Sequence, residues 1–435
     1  MAVLAVQGER LSACHFPDHR ENTGKFRRSS RKAGRSSVFL LLSQLVTPTF
    51  PTDLNREFLS VIRDYFPRSS DSLGSNPGLA TTFTELDFVV SGGKRRGVVM
   101  GASRLVTRYL DARLLHPSRE KYEMINQIRG LHHVTSMAAD AQTNSDFFTK
   151  KLGLRRVKKT VNFDARDVYH LYYGDEVGTP GSVMTYFPFP GIPKGRQGIG
   201  EVGRTIFAVP TGSLGFWKER FTVEGVVGLS EEEIFGAKRL NFDGPDGEGF
   251  ALVEVDGDSD GRSPWTGSGV GSSEGILGFQ GASMRLRDGA ATGELLEFMG
   301  YRQMERDGDL IRYGIEGGNG ADVIDLEVLS GTQAASQGAG SVHHIAFAVD
   351  DRAAQLEVRK ALLDTGYQVT PVIDRDYFWA IYFRTPGGVL FEVATNEPGF
   401  DRDEDSAHLG EALKLPSQHE PYRAQIEQQL SPITD

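Results

Sequence analysis

GLHHVTSMAAD (130–140) and SVHHIAFAVD (341–350) decide the reading of the fold. Each is a short strand-like run that contains a His-His pair, and each is followed by a segment with helical spacing. After the first comes TNSDFFTKKLGL (143–154), where Phe147, Phe148, Lys151 and Leu152 recur on one face before Gly153; after the second comes AAQLEVRKALLDTGY (353–367). Two other runs open in the same way without histidine: VGRTIFAVP (202–210) before SLGFWKERF (213–221), and QGASMRLRD (280–288) before GELLEFMGY (293–301). Closing strands recur as NFDGPDGEGFALVEV (241–255), ADVIDLEVL (321–329) and WAIYFRTPGGVLFEVA (379–394). A unit repeated four times predicts an α+β fold of four strand-helix-strand-strand-strand (βαβββ) modules, paired in sequence order into two domains, 124–262 and 276–400. The Gly/Ser/Asp-rich stretch 256–275 reads as a linker or loop, and 401–435 as a C-terminal tail with a helix expected over 401–430.

The first 123 residues are of another kind. They hold 19 Lys+Arg against 12 Asp+Glu, whereas 124–435 hold 29 against 46, so a net of +7 precedes a net of −17. Apart from a helix expected over Thr52–Tyr65, this Arg-rich segment lacks sustained periodicity. It reads as a poorly structured extension: a small extra domain, a transit peptide, or, the preferred reading, sequence upstream of a start at Met124. The acidic remainder has no attraction for nucleic acid or anionic lipid. No apolar run approaches the roughly 18–20 residues of a membrane span, the best being FLLLSQLV at 39–46. A single cysteine, Cys14, excludes an internal disulfide framework and a Cys-rich zinc module, and suggests a reducing, cytoplasmic setting. A homo-oligomer is compatible with the sequence.

The repeats act as internal controls. Aligning the opening strands on Phe-Ala-Val puts Arg204 and, approximately, Ala282 where the fourth unit has His344, while the first unit carries His132-His133. Three closing strands end in apolar-Glu-Val, at Glu254, Glu327 and Glu392, and only Glu392 belongs to a unit with histidine. Glu254 and Glu327 are therefore expected to be structural or solvated. In a regular strand successive side chains face opposite ways, so one member of each pair faces a given concavity. The second members are chosen: Leu131, His133 and Thr135 would share one face, and His344, Ala346 and Ala348 another. With Glu392 they make two imidazoles and one carboxylate, the facial set of non-haem Fe(II) sites with open positions.

At these residues, and across YHLYYGDEVGTPGSVMTYFPFP (169–190), FRTPGGVLFEVAT (383–395) and PGFDRDEDSAHLGEALKLP (398–416), the segment 124–435 resembles ring-cleaving dioxygenases of the vicinal oxygen chelate (glyoxalase/bleomycin-resistance/extradiol dioxygenase) superfamily. Within it the hydroquinone dioxygenase branch is the most similar. The resemblance implies four vicinal-oxygen-chelate modules and an Fe(II) enzyme that opens a small aromatic diol of hydroquinone or catechol type with O2. It implies His133, His344 and Glu392 as metal ligands, and His132, Thr135, His343, Arg375 and Tyr382 as further catalytic residues, with Tyr377 nearby. By residue chemistry alone, His132 and His343 are either acid–base groups or hydrogen-bonding core residues, and Arg375 either stabilises an anion or forms a surface salt bridge. Tyr377 reads as a packing residue, and His170 and Asp175 as anchors of a loop. Two alternatives use the same scaffold: a glyoxalase-like metal-dependent lyase, isomerase or thiol transferase, and a non-catalytic small-molecule-binding resistance protein.

Overall fold

The computed structural model describes residues 124–256 and 261–434, and the backbone of two strands upstream of them. Those two, β1 (Phe83–Val90) and β2 (Gly93–Met100), pair antiparallel with Phe83 opposite Met100. The reading of this segment as free of strands is corrected at that hairpin, where TFTELDFVV has the alternation of a strand. The helix expected over Thr52–Tyr65 lies outside the described residues.

Four βαβββ modules follow. The first has β3 (Ile128–Ala138), α1 (Ala141–Asp146), β4 (Arg155–Val161), β5 (Tyr169–Gly174) and β6 (Val183–Pro188). The second has β7 (Glu201–Pro210), α2 (Leu214–Val223), β8 (Ser230–Ile234), β9 (Ala237–Asp243) and β10 (Gly249–Val255). The third has β11 (Gly278–Leu286), α3 (Ala290–Phe298), β12 (Arg302–Asp307), β13 (Leu310–Gly314) and β14 (Val323–Val328). The fourth has β15 (Val342–Val349), α4 (Arg352–Asp364), β16 (Ile373–Asp374), β17 (Phe378–Arg384) and β18 (Leu390–Pro398). Between modules two and three, no helix or strand occurs among the described residues of 256–275.

The modules do not pair in sequence order. One eight-stranded sheet runs β16-β17-β18-β15-β3-β6-β5-β4 and the other β12-β13-β14-β11-β7-β10-β9-β8. Module one thus shares a sheet with module four, and module two with module three, so each sheet draws strands from both 124–262 and 276–400. Local periodicity specifies each module but not which opening strand lies beside which. Here β3 pairs antiparallel with β15, and β7 with β11, and this sets the two His-His strands side by side. Leu131, Val134, Ile345 and Phe347 of one sheet and Phe207, Met284 and Leu326 of the other join a single apolar core. That burial, at about 25 cal/mol per Å² of apolar surface, is the main stabilising contribution.

The tail also departs from expectation. In place of one helix it has turns at Phe400–Arg402, Ser406–His408 and Glu420–Tyr422 before the short α5 (Arg423–Gln429). Pro416 and Pro421 remove helical donors, and tertiary partners hold the rest. The fully buried Lys158 ammonium meets Asp403 at 2.7 Å and also Glu404, and Tyr377 donates to Asp403 at 3.2 Å. The tail of module four is thereby fastened to β4 of module one, and Tyr377 packs there as expected.

A polar link also joins the sheets. Tyr186 of β6 donates to Glu248 Oε1 at 2.8 Å, and the Asp246 N–H donates to Oε2 at 3.0 Å. Burial pushes the Glu248 carboxyl up to about 7. The folded state therefore keeps a proton that the unfolded chain has lost, so this stability is complete below the ordinary value of 4.5 and lost as pH rises through about 7. Thermal unfolding from roughly pH 5 to pH 8 should show the wild-type midpoint falling more steeply than that of Glu248→Gln.

Candidate metal centre

Both His-His pairs sit on bulges. Along β3 and β15, Val134 faces Ile345, His133 faces Ala346 and Leu131 faces Phe347, which leaves His132 as the extra residue. Thr135 faces His344 and Ser136 faces Val342, which leaves His343 as the extra residue on the other strand. A bulge re-aims the side chains beside it. This corrects the regular-strand expectation: Leu131 lies in the core instead of sharing the face of His133, and both members of each pair touch.

His133 Nε2 lies 3.3 Å from His344 Nε2 and 3.5 Å from Glu392 Oε2, and His344 Nε2 lies 2.8 Å from that same oxygen. All three side chains are buried, and one ligand atom from each falls within 4.8 Å of the others. Burial opposes a charge on Glu392, yet the adjacent His133 and His344 hold its carboxyl well below the usual range. Neither carboxylate oxygen has a well-aligned hydrogen-bond donor. A fully buried carboxylate in that state is costly unless a cation is coordinated, so the donor set fits a divalent metal held by two imidazoles and one carboxylate.

The neighbouring histidines set the tautomers. His132 Nε2 contacts the Thr395 carbonyl at 3.1 Å, and a carbonyl only accepts, so His132 carries its proton there. Burial, with His133 beside it, pushes His132 down to about 3, so the ring is neutral and its Nδ1 accepts. The His133 Nδ1–H then donates to it at 3.0 Å, which frees the His133 Nε2 lone pair for a metal. His343 serves His344 in the same way through Nδ1 atoms 2.7 Å apart, and burial with His344 alongside pushes it down to about 3. The pairs then diverge: His343 borders the cavity, with its Nε2–H left for a ligand, whereas His132 is not among the lining residues and acts as a support for His133.

That cavity holds about 140 Å³ and is walled by Phe163, Phe187, Phe189, Met137, Tyr172 and Phe378. An apolar cavity of about 150 Å³ accepts benzene, so the space suits one small aromatic ring. Thr135, Arg375 and Tyr382 also face it. Arg375 Nε donates to the Tyr382 hydroxyl at 3.3 Å, and its guanidinium lies 3.6 Å from Asp164 and 5.2 Å from the centre of the Phe163 ring. Arg375 thus forms an ion pair with Asp164 and, largely buried itself, also faces the cavity. Its position depends on Asp376, which at φ 65° takes the left-handed turn that aspartate tolerates.

The second sheet confirms the role of the repeats and corrects their alignment. Its central pair has matching bulges at Gly203 and Gln280. By register, His133, His344 and Glu392 correspond to Gly281, Arg204 and Ala251. No side chain fits at Gly281, where a Cβ would come within 1.9 Å of the Val323 carbonyl oxygen. Glu254 and Glu327 lie further along their strands than Glu392 does. Glu254 accepts from the Gly212 and Leu214 N–H groups at the start of α2, and Glu327 pairs with Arg285 at 3.3 Å. Both are structural or solvated as expected.

The reading of His170 and Asp175 as loop anchors holds for Asp175 and is corrected for His170. Asp175 anchors its loop, accepting from Gly178 and Thr179, but His170 lines the cavity and bonds to Thr185 and Tyr172. Strand alternation puts His170 and Tyr172 on one face of β5, a signal that pointed to a shared environment.

Comparison with known proteins agrees with this geometry. Residues 130–393 match the Glyoxalase/Bleomycin resistance protein/Dioxygenase superfamily. The chain is 43% identical over 312 residues to the Bacillus subtilis protein named "Putative ring-cleaving dioxygenase MhqO", covering 71% of this chain and 98% of that one. It is 36% identical over 313 residues to the chlorohydroquinone/hydroquinone 1,2-dioxygenase of Sphingobium indicum, covering 68% and 94%. A crystal structure of a "putative dioxygenase" from Bacillus subtilis superposes with a TM-score of 0.68 at 42% identity, covering 71% of this chain and 98% of that one. This chain belongs to the glyoxalase/bleomycin resistance protein/dioxygenase superfamily.

Proposed function

We propose that the protein is an Fe(II)-dependent ring-cleaving dioxygenase that opens a one-ring aromatic diol with O2 in the cytoplasm. The observation that carries this reading is the buried His133–His344–Glu392 cluster opening on an aromatic-walled cavity of about 140 Å³. The relative from Sphingobium, named for hydroquinone and its chlorinated form, makes para-diols the first substrates to try.

Bound Fe(II) would supply Lewis acidity, open coordination positions and one-electron chemistry toward O2. The protein's own groups do the rest. The Phe187 and Phe163 rings hold the substrate ring and exclude water. Arg375, braced by Tyr382, offers positive charge to a phenolate or to the carboxylate product, while burial pushes the Tyr382 phenol far up and keeps it a neutral donor. His343, protonated at Nε2, is placed to donate a hydrogen bond to a substrate oxygen in the cavity.

The test is O2 uptake after anaerobic loading with Fe2+, with hydroquinone, methylhydroquinone, chlorohydroquinone, catechol and a biphenyl diol in parallel. One-ring diols should be consumed and the biphenyl diol refused. Absence of uptake with every one-ring diol would reject the reading.

A further inference from the structure

A run of hydrogen bonds along the cavity wall is used by nothing described so far. The Tyr172 hydroxyl meets His170 Nδ1 at 2.8 Å, His170 Nε2 meets Thr185 Oγ1 at 2.9 Å, and Thr185 Oγ1 meets Thr135 Oγ1 at 2.9 Å. Tyr172, Thr185 and Thr135 are buried to 1% exposure or less, and His170 to 8%. Each hydroxyl has one proton to place.

The direction follows from chemistry. A phenol is the stronger donor and an imidazole nitrogen the stronger acceptor, so Tyr172 donates to Nδ1. A neutral ring then carries its proton on Nε2 and donates to Thr185. Burial, with His133 and His344 adding to it, holds His170 well below its ordinary value, in keeping with a neutral ring. Thr185 Oγ1, having accepted from His170, has its own proton free for Thr135 at 2.9 Å, and in that direction the Thr135 proton faces the cavity. Thr135 stands two residues along β3 from His133, on the same face, so the chain ends beside the metal ligands.

We infer that His170, Thr185 and Tyr172 are positioning residues, a one-way chain that fixes the Thr135 hydroxyl as a hydrogen-bond donor to a substrate oxygen beside His133. The role rests on the ring-opening reading. A free threonine hydroxyl rotates among three staggered positions; one whose oxygen is already an acceptor has its donor direction narrowed before substrate arrives, and preorganisation of that kind favours the transition state.

The experiment has two arms. In full-length, metal-free protein labelled with 15N-histidine, the His170 shifts should report a neutral ring protonated at Nε2. In Fe2+-loaded protein with hydroquinone, Thr185→Val should lower kcat about 10–100-fold, the range for groups that orient metal-site residues, with KM and iron content unchanged. Thr185→Ser, which keeps the hydroxyl, should restore it. A merely packed threonine would be served equally well by the isosteric valine. A proton on Nδ1, equal rates for Thr185→Val and wild type, or equal losses for Val and Ser would overturn the chain. No uptake by wild type with any one-ring diol would instead overturn the ring-opening reading, and the positioning role with it.

Discussion

Glu392→Gln is expected to empty the metal centre. The substitution keeps the shape of the side chain but removes the charge that makes two buried imidazoles a cation site, and the amide nitrogen it introduces cannot ligate. Groups that only orient ligands are worth about 10–100-fold in metal affinity or activity, so loss of a ligand should cost more than about 100-fold. Iron retained after desalting, measured by elemental analysis, should fall to background, and diol-dependent O2 uptake with it. Folding should survive, because glutamine fills the same fully buried volume and leaves the apolar core unchanged. Full iron content in Glu392→Gln would contradict the ligand assignment.

The opposite outcome is expected at Asp325. This carboxylate is fully buried in the second sheet, where Arg312 binds it through two bonds at 2.8 and 2.9 Å and Arg239 adds a third at 2.8 Å. Phe235 lies over the Arg312 guanidinium at 4.6 Å. Asp325→Ala leaves two buried cations without their counter-charge, a change that costs about 3–5 kcal/mol. Urea unfolding of the apo protein should show that loss through a lowered midpoint, whereas iron binding under native conditions should be unchanged, because the ligands lie on the other sheet. Replacing the whole triad with apolar residues of similar volume should recover most of the stability. An Asp325→Ala protein of normal stability would show that the triad is not the buried charge cluster described.

These contrasts indicate which features were legible beforehand. The four modules and the grouping of His133, His344 and Glu392 followed from repeat and motif, since strand alternation and helix spacing are local properties written in consecutive residues. What escaped depended on register and on long-range pairing. The joining of module one to module four turns on which opening strands lie side by side, and no run of residues in β3 names β15. The bulges at His132 and His343 were hidden because a regular strand was assumed; with that assumption Leu131 was put beside His133 and Glu254 in line with Glu392. Both placements shift once the extra residues are counted. His170 reads as a loop anchor from sequence for a related reason. Its partner Thr185 comes from β6, and Thr135, which bonds to Thr185, from β3, so only the pairing of three strands shows that they form one chain.

The central claim is that the His133–His344–Glu392 centre directs ring opening by O2, and isotopic labelling tests it most directly. Protein loaded anaerobically with Fe2+ and given hydroquinone under 18O2 should form a ring-opened acid that contains both atoms of one O2 molecule, apart from exchange of carbonyl oxygen with water, and Glu392→Gln should form none. A product carrying no 18O, or equal product from Glu392→Gln, would contradict the account.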